Sequence, residues 1–189
     1  MKIKKVFFNI KKLYIILYIF LIHYISNVYP INVIIRKDEM KTFSETINKV
    51  IENSYTNEIK FNLVDDHYII PAEGRNSINI ATNIIFYSEK GAILDFQHAS
   101  KSFINFNFNF GTNNKKLIFH NITFYNYFND DNFDSVLNFR NPNYKNDFLI
   151  QLNNCTFNEL SNNILYFDYS FKEQSDYTIQ AEINNCSFM

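Results

Sequence analysis

A six-residue phrase recurs three times near the carboxyl end of this chain: Phe119-His120-Asn121-Ile122-Thr123-Phe124, Leu152-Asn153-Asn154-Cys155-Thr156-Phe157 and Ile183-Asn184-Asn185-Cys186-Ser187-Phe188. The copies begin 33 and then 31 residues apart. Self-similarity at such a period marks a stacked repeat, in which each unit buries its apolar face on the next. Within a copy, alternate apolar positions predict strands, because successive side chains of a strand point to opposite faces. In the second copy Ile150 alternates with Leu152, and Cys155 with Phe157, but the step from Leu152 to Cys155 is three residues. Both halves can face one core only if the backbone turns at the Asn pair, and Asn tolerates the left-handed conformation that such a turn needs. The same slip falls between Phe119 and Ile122 and between Ile183 and Cys186. Each copy is therefore read as strand, one-residue corner, strand.

Stacking the copies in register predicts three columns of like residues: Asn121, Asn154 and Asn185 at the corner, then Ile122, Cys155 and Cys186, then Phe124, Phe157 and Phe188. At the strand spacing of about 4.8 Å, Asn amides can hydrogen-bond from coil to coil and Phe rings can stack. The pattern resembles the right-handed parallel β-helix of the pectin-lyase-like superfamily, whose coils carry three strands joined by corners, one of them often an Asn ladder. The resemblance covers roughly residues 76 to 189. It implies an all-β, right-handed parallel β-helix solenoid and does not by itself imply a reaction.

Upstream, Ile104-Asn105-Phe106-Asn107-Phe108-Asn109-Phe110 alternates strictly, which predicts a strand with Phe inside and Asn outside. Ile78, Ile80, Ile84 and Phe86, with Ile93, Leu94 and Phe96 beyond Gly91, are read as earlier, divergent coils. An antiparallel sandwich is the rival architecture, weakened because the hairpin dipeptides Asn-Gly and Asp-Gly are absent. Before the strands, Met40, Phe43, Ile47, Val50 and Ile51 fall at helical spacing behind Asp38 and Glu39. This amphipathic helix, with the strand-like stretch Ile59 to Ile70, is expected to cap the open amino-terminal end of the stack.

Three regions follow: a leader over 1–29, a cap of helix plus first strand over 36–70, and β-helix coils over 71–189. The leader has Lys2, Lys4, Lys5, Lys11 and Lys12 ahead of the apolar run Leu13 to Ile25, too short for a typical membrane span of about 20 residues. It is read as a signal peptide, so the expected location is secreted or cell-surface. Ser26 to Pro30 lack a clean small-x-small cleavage pattern, which leaves an uncleaved anchor as the alternative and the only membrane contact expected. The chain stops at Met189, one residue after the third Phe, with nothing to cover the last coil. That predicts the amino-terminal piece of a longer helix, or a truncated product, that associates end to end.

A net charge of −1 gives no electrostatic footprint for nucleic acid. Cys155 and Cys186 are the only cysteines. Coil spacing and a secretory compartment permit a disulfide, but parallel inward Cβ vectors favour a packed pair. Asn121, Asn154 and Asn185 each head an N-x-Ser/Thr sequon, so they are candidate glycosylation sites as well as corner residues, and the corner role is preferred.

Catalytic candidates are thin. The resemblance implies that a lyase needs acidic residues holding calcium beside a cationic base, and a hydrolase needs clustered carboxylates. Asp65-Asp66-His67 is the nearest cluster and is read as a solvated turn, while Asp95 is a lone carboxylate. Asn129 to Asp134 offers oxygens at calcium-loop spacing, but Ser135 replaces the turn Gly and Asn141 stands where a bidentate Glu belongs. His98 has no supporting motif, His120 reads as a corner residue, and Arg75 and Arg140 are isolated. No cofactor, metal or catalytic residue is assigned. The expected function is a non-catalytic secreted or surface-displayed module for adhesion, scaffolding or contact with carbohydrate or other surface proteins. The alternative is a partial or degenerate polysaccharide lyase or glycoside hydrolase.

Overall fold

The computed structural model describes residues 14–21, 29–38, 43–72, 76–99, 102–108, 114–128, 135–141, 148–160, 163–169 and 180–189. Residues 14–21 form a helix, α1, whose Tyr14, Ile15, Leu17, Tyr18 and Phe20 are exposed. No helix among the described residues is long and apolar enough to cross a membrane. There follow β1 (Ile31–Ile35), α2 (Phe43–Glu52), β2 (Glu58–Leu63), β3 (His67–Ile69), β4 (Asn76–Ile80), β5 (Asn83–Asp95), β6 (Ile104–Phe108) and β7 (Lys115–Tyr127). The chain continues with β8 (Leu137–Asn141), β9 (Phe148–Asn153), β10 (Thr156–Leu160), β11 (Leu165–Tyr169), β12 (Gln180–Asn184) and β13 (Ser187–Phe188).

Every pair formed by these strands is parallel, and the strands stack as a β-solenoid of about four turns. The antiparallel sandwich is thereby excluded. One sheet, A, runs β1-β2-β5-β7-β10-β13, with β3 on β5 and β9 between β7 and β12; the other, B, runs β4-β6-β8-β11. Each coil climbs sheet A in two segments separated by a corner, crosses to sheet B and returns.

The core consists of columns running along the stack. Phe61, Phe86 and Phe119 are register partners with ring centroids 5.1 and 5.3 Å apart. Leu152 and Ile183 continue that column as parallel partners. Phe124, Phe157 and Phe188 form a second, at 5.0 and 5.1 Å, and Phe106, Phe139 and Phe167 a third in sheet B, at 5.5 and 5.1 Å. Offset-stacked rings add to the burial itself, so the repeat of Phe at coil spacing is reinforced at each turn.

The corners differ in length. Asn121, Asn154 and Asn185 have φ of 57°, 53° and 52°, the left-handed region in which Asn is comparatively tolerated. In the preceding coil, the register jumps from Tyr87 opposite His120 to Ala92 opposite Ile122, so Ser88 to Gly91 bulge where the next coil has Asn121 alone. Gly91 sits there at φ 90°. Asn121 ties the bulge down by donating from Nδ2 to the Ser88 carbonyl at 2.9 Å.

Helix α2 buries Phe43, Ile47 and Ile51 on the stack and lies against β4. Met40 and Glu39, expected at its start, lie outside the described residues. Two features depart from the expected layout. β1, a run of Ile, Val and Asn ahead of the helix, adds a strand to sheet A in register with β2. Ile59 to Ile70 is not one strand, because β2 and β3 are separated by a corner at Val64 to Asp66 and pair with the two halves of β5. That stretch is the first coil as much as a cap. The Tyr68 hydroxyl fastens it, donating to the Ile35 carbonyl at 2.7 Å and accepting from the Asp65 amide at 2.9 Å.

Candidate functional site

A strand that turns one side chain inward turns its neighbours outward, so the columns that build the core also build surface columns. On β3, the second half of β5, the second half of β7 and β10, the inward residues are Tyr68, Leu94, Phe124 and Phe157. The outward columns are then His67, Ile93, Thr123 and Thr156, and beside them Ile69, Asp95, Tyr125 and Asn158.

This face brings together residues that stand apart in sequence. His67 Nε2 lies 3.0 Å from Asp95 Oδ2. A carboxylate only accepts, so Nε2 is the donor of this pair. The other carboxylate oxygen, Asp95 Oδ1, accepts from the Gln97 amide at 2.7 Å and from Asn126 Nδ2 at 3.2 Å. Three donors thus hold Asp95, and Asp95 holds the imidazole. Next along the stack, the Tyr125 hydroxyl is hydrogen-bonded to Glu159, which raises its pKa above the ordinary value near 10. Asn126 and Glu159 project from left-handed positions one residue before the ends of their strands, at φ 61° and 53°. His98, also at positive φ, stacks on Phe128 with centroids 4.6 Å apart.

The arrangement can orient an imidazole and offer one aromatic ring among fixed carboxylates and amides. The hydroxyl nearest in register, Tyr125, is already engaged by Glu159. No group of three His, Cys, Asp or Glu side chains among the described residues is placed to hold a metal ion.

Other candidates fall elsewhere. Asp65 accepts the Lys37 amide at 2.7 Å, so its carboxylate serves the turn. His120 is exposed on the first-half face of β7, in register with Tyr87 and Asn153. Arg140 lies on the outer face of sheet B, opposite Asn107 and Asp168. Arg75 and the segment Asn129 to Asp134 lie outside the described residues.

The repeated phrase places its Asn residues in different surroundings. The side-chain hydrogen bond from coil to coil is made one position before the corner, by Asn184 Nδ2 donating to Asn153 Oδ1 at 3.0 Å. Asn154 and Asn185 are exposed, whereas Asn121 is half-buried and engaged by Ser88. Ile122 and Cys155 are 1 % exposed, and Cys186 is half-buried. Both cysteines are free thiols. Cys186 Sγ lies 3.4 Å from the Cys155 amide nitrogen and 3.3 Å from the Leu152 carbonyl oxygen. Burial, with the neighbouring Cys186 adding to it, pushes the Cys155 thiol up to about 11.

Sequence reasoning met His67 and Asp95 singly and could not join them. The signal was the register, which sets His67 one coil below Asp95. No family model, no curated protein and no solved structure matches this chain.

Proposed function

We propose that this chain is a non-catalytic, secreted or cell-surface β-solenoid module of the pectin-lyase-like kind, contacting carbohydrate through the outward face of β3, β5, β7 and β10. The observation that carries this reading is the half-exposed Tyr125 standing between the His67–Asp95 pair and Glu159 on a rigid sheet. A sugar ring offers an apolar face and a rim of hydroxyls. An aromatic side chain flanked by pre-positioned acceptors and amides suits both, and rigid strands keep the ordering cost of binding low. The basic and apolar leader supports export.

The test is binding of the full chain to immobilised glycans, with Tyr125→Ala as the control. Its ring points away from the core, so the variant is expected to keep its fold and lose retention. Retention unchanged in the variant, or none of the glycans retained by the parent, would remove the reading.

The His67–Asp95 pair favours one alternative, a partial or degenerate polysaccharide-active enzyme. An imidazole oriented by a carboxylate is a general acid-base arrangement. Depolymerisation of polygalacturonate, assayed with and without calcium and abolished in His67→Ala, would support that alternative over the first.

A further inference from the structure

The three sequon asparagines share a backbone conformation and differ in what their side chains do. Asn121, Asn154 and Asn185 all stand at the corner, with φ of 57°, 53° and 52°. Were the corner column the amide ladder, each carboxamide would be held by its neighbours and none would be open to modification. The bond from coil to coil is made instead by Asn184 and Asn153, one position earlier, at 3.0 Å. That releases the side chains at the corner itself.

Asn154 shows the consequence most plainly, because a coil lies on either side of it. Its backbone is tied down, since its amide donates to the Asn184 carbonyl at 2.9 Å. Its side chain is exposed and makes no hydrogen bond with any described residue. Asn185 is likewise exposed, with no side-chain partner among the described residues. Asn121 is the exception. It is half-buried, and its Nδ2, the nitrogen to which a glycan would be joined, donates to the Ser88 carbonyl at 2.9 Å.

We propose that Asn154 and Asn185 are attachment sites for N-linked glycans and that Asn121, in the same motif and the same conformation, is not. The inference rests on the export proposed above, since this reaction belongs to secreted chains. In it Nδ2 attacks the anomeric carbon of an oligosaccharide carried on a lipid diphosphate. An N–C bond forms, the bond from that carbon to the diphosphate oxygen breaks, Nδ2 gives up one proton, and the lipid diphosphate leaves with the electron pair. Transfer acts on the unfolded chain, so the structure selects which modified chains can close. At Asn154 the glycan extends into solvent and every hydrogen bond of the stack is kept. At Asn121 it has to fit a half-buried corner beside the Ser88 to Gly91 bulge and displaces the bond that holds the bulge. Chains modified there are expected to fail to fold.

The experiment sends the full chain into the secretory pathway of eukaryotic cells behind an independent cleavable signal. The secreted, protease-resistant fraction is treated with peptide N-glycanase in heavy-oxygen water, which marks each formerly glycosylated Asn, and is mapped by mass spectrometry. Marks at Asn154 and Asn185 and none at Asn121 are expected. Asn154→Gly, which keeps the corner conformation, is expected to lose the mass of one glycan. A folded fraction marked at Asn121, or unmarked at both Asn154 and Asn185, overturns the proposal. The chain carrying only its own leader tests export separately. If it stays inside the cell unmodified, the export reading falls, while marks at Asn154 behind the supplied signal still uphold the site.

Discussion

The rings of Phe157 and Phe188 lie 5.1 Å apart and within 7° of parallel, although they belong to successive coils. Phe157 has a second stacked partner in Phe124 and is 1 % exposed, whereas Phe188 is 56 % exposed. The two members of one column should therefore respond differently to truncation. Phe157→Ala opens a cavity between two rings and is expected to cost about 3–5 kcal/mol. Phe188→Ala removes a half-solvated ring and is expected to cost about 1 kcal/mol. Denaturant titration of the two variants measures the difference, and equal costs would mean that the column is not packed as a continuous stack.

The corner residues separate backbone from side-chain roles. Asn154 has φ 53° and an exposed side chain, so its contribution is to accept the left-handed conformation. Asn154→Gly is expected to be nearly neutral, and Asn154→Ala to lose about 1 kcal/mol. Asn121 has the same conformation but also holds the Ser88 carbonyl, so there Gly does not rescue and both substitutions should destabilise. Gly91 completes the comparison. A Cβ added there meets Asn121 Oδ1 at 3.8 Å, ordinary contact, so the expected loss of about 1 kcal/mol in Gly91→Ala comes from φ 90° and not from crowding.

Cys155 supplies a pH signature. Burial favours the neutral thiol, so the folded chain holds this proton up to about 11, against an ordinary value near 9. The folded state binds the proton more tightly than the unfolded one, so this contribution is complete below pH 9 and is lost as pH rises toward 11. Stability is expected to fall across that window, and to fall less in Cys155→Ala. At pH 8 only about one Cys155 in a thousand is a thiolate, so a thiol reagent is expected to modify half-buried Cys186 first. Mass spectrometry of the singly labelled chain distinguishes the two positions.

The corner is legible in the sequence because the apolar spacing passes from two to three at the Asn pair, and only a turn keeps Leu152 and Cys155 on one side. β1 is less so: Ile31, Val33, Ile34 and Ile35 follow closely on an apolar leader and break the alternation, so the segment carries no clean strand period. The side-chain amide bond between coils lies one position before the corner for a geometric reason. Asn153 and Asn184 still lie on the pleat, one directly over the other, whereas the left-handed residue after each has left it. His67 and Asp95 were separable but not joinable, because their pairing needs the register of the first coil, which lacks the repeated phrase.

Asn48 makes the last test, because it explains how a helix can end a parallel sheet. Its Nδ2 donates to the Ser77 carbonyl at 2.8 Å and its Oδ1 accepts from the Asn79 amide at 2.9 Å. One side-chain amide thus stands where the peptide of a further strand would pair with β4, and it satisfies the edge in both directions. Asn48→Asp keeps the shape and the acceptor, removes the donor and sets a carboxylate against a carbonyl, while Asn48→Ala removes both bonds. Each is expected to cost about 1–3 kcal/mol. Since an uncovered edge is a template for another chain, each is also expected to show concentration-dependent association by light scattering. Lys49→Ala, an exposed neighbour on the same helix, should do neither. If the Asn48 variants were as stable as the parent and associated no more than it does, the cap would reside wholly in the apolar face of Phe43, Ile47 and Ile51, and the amide contact would be incidental to it.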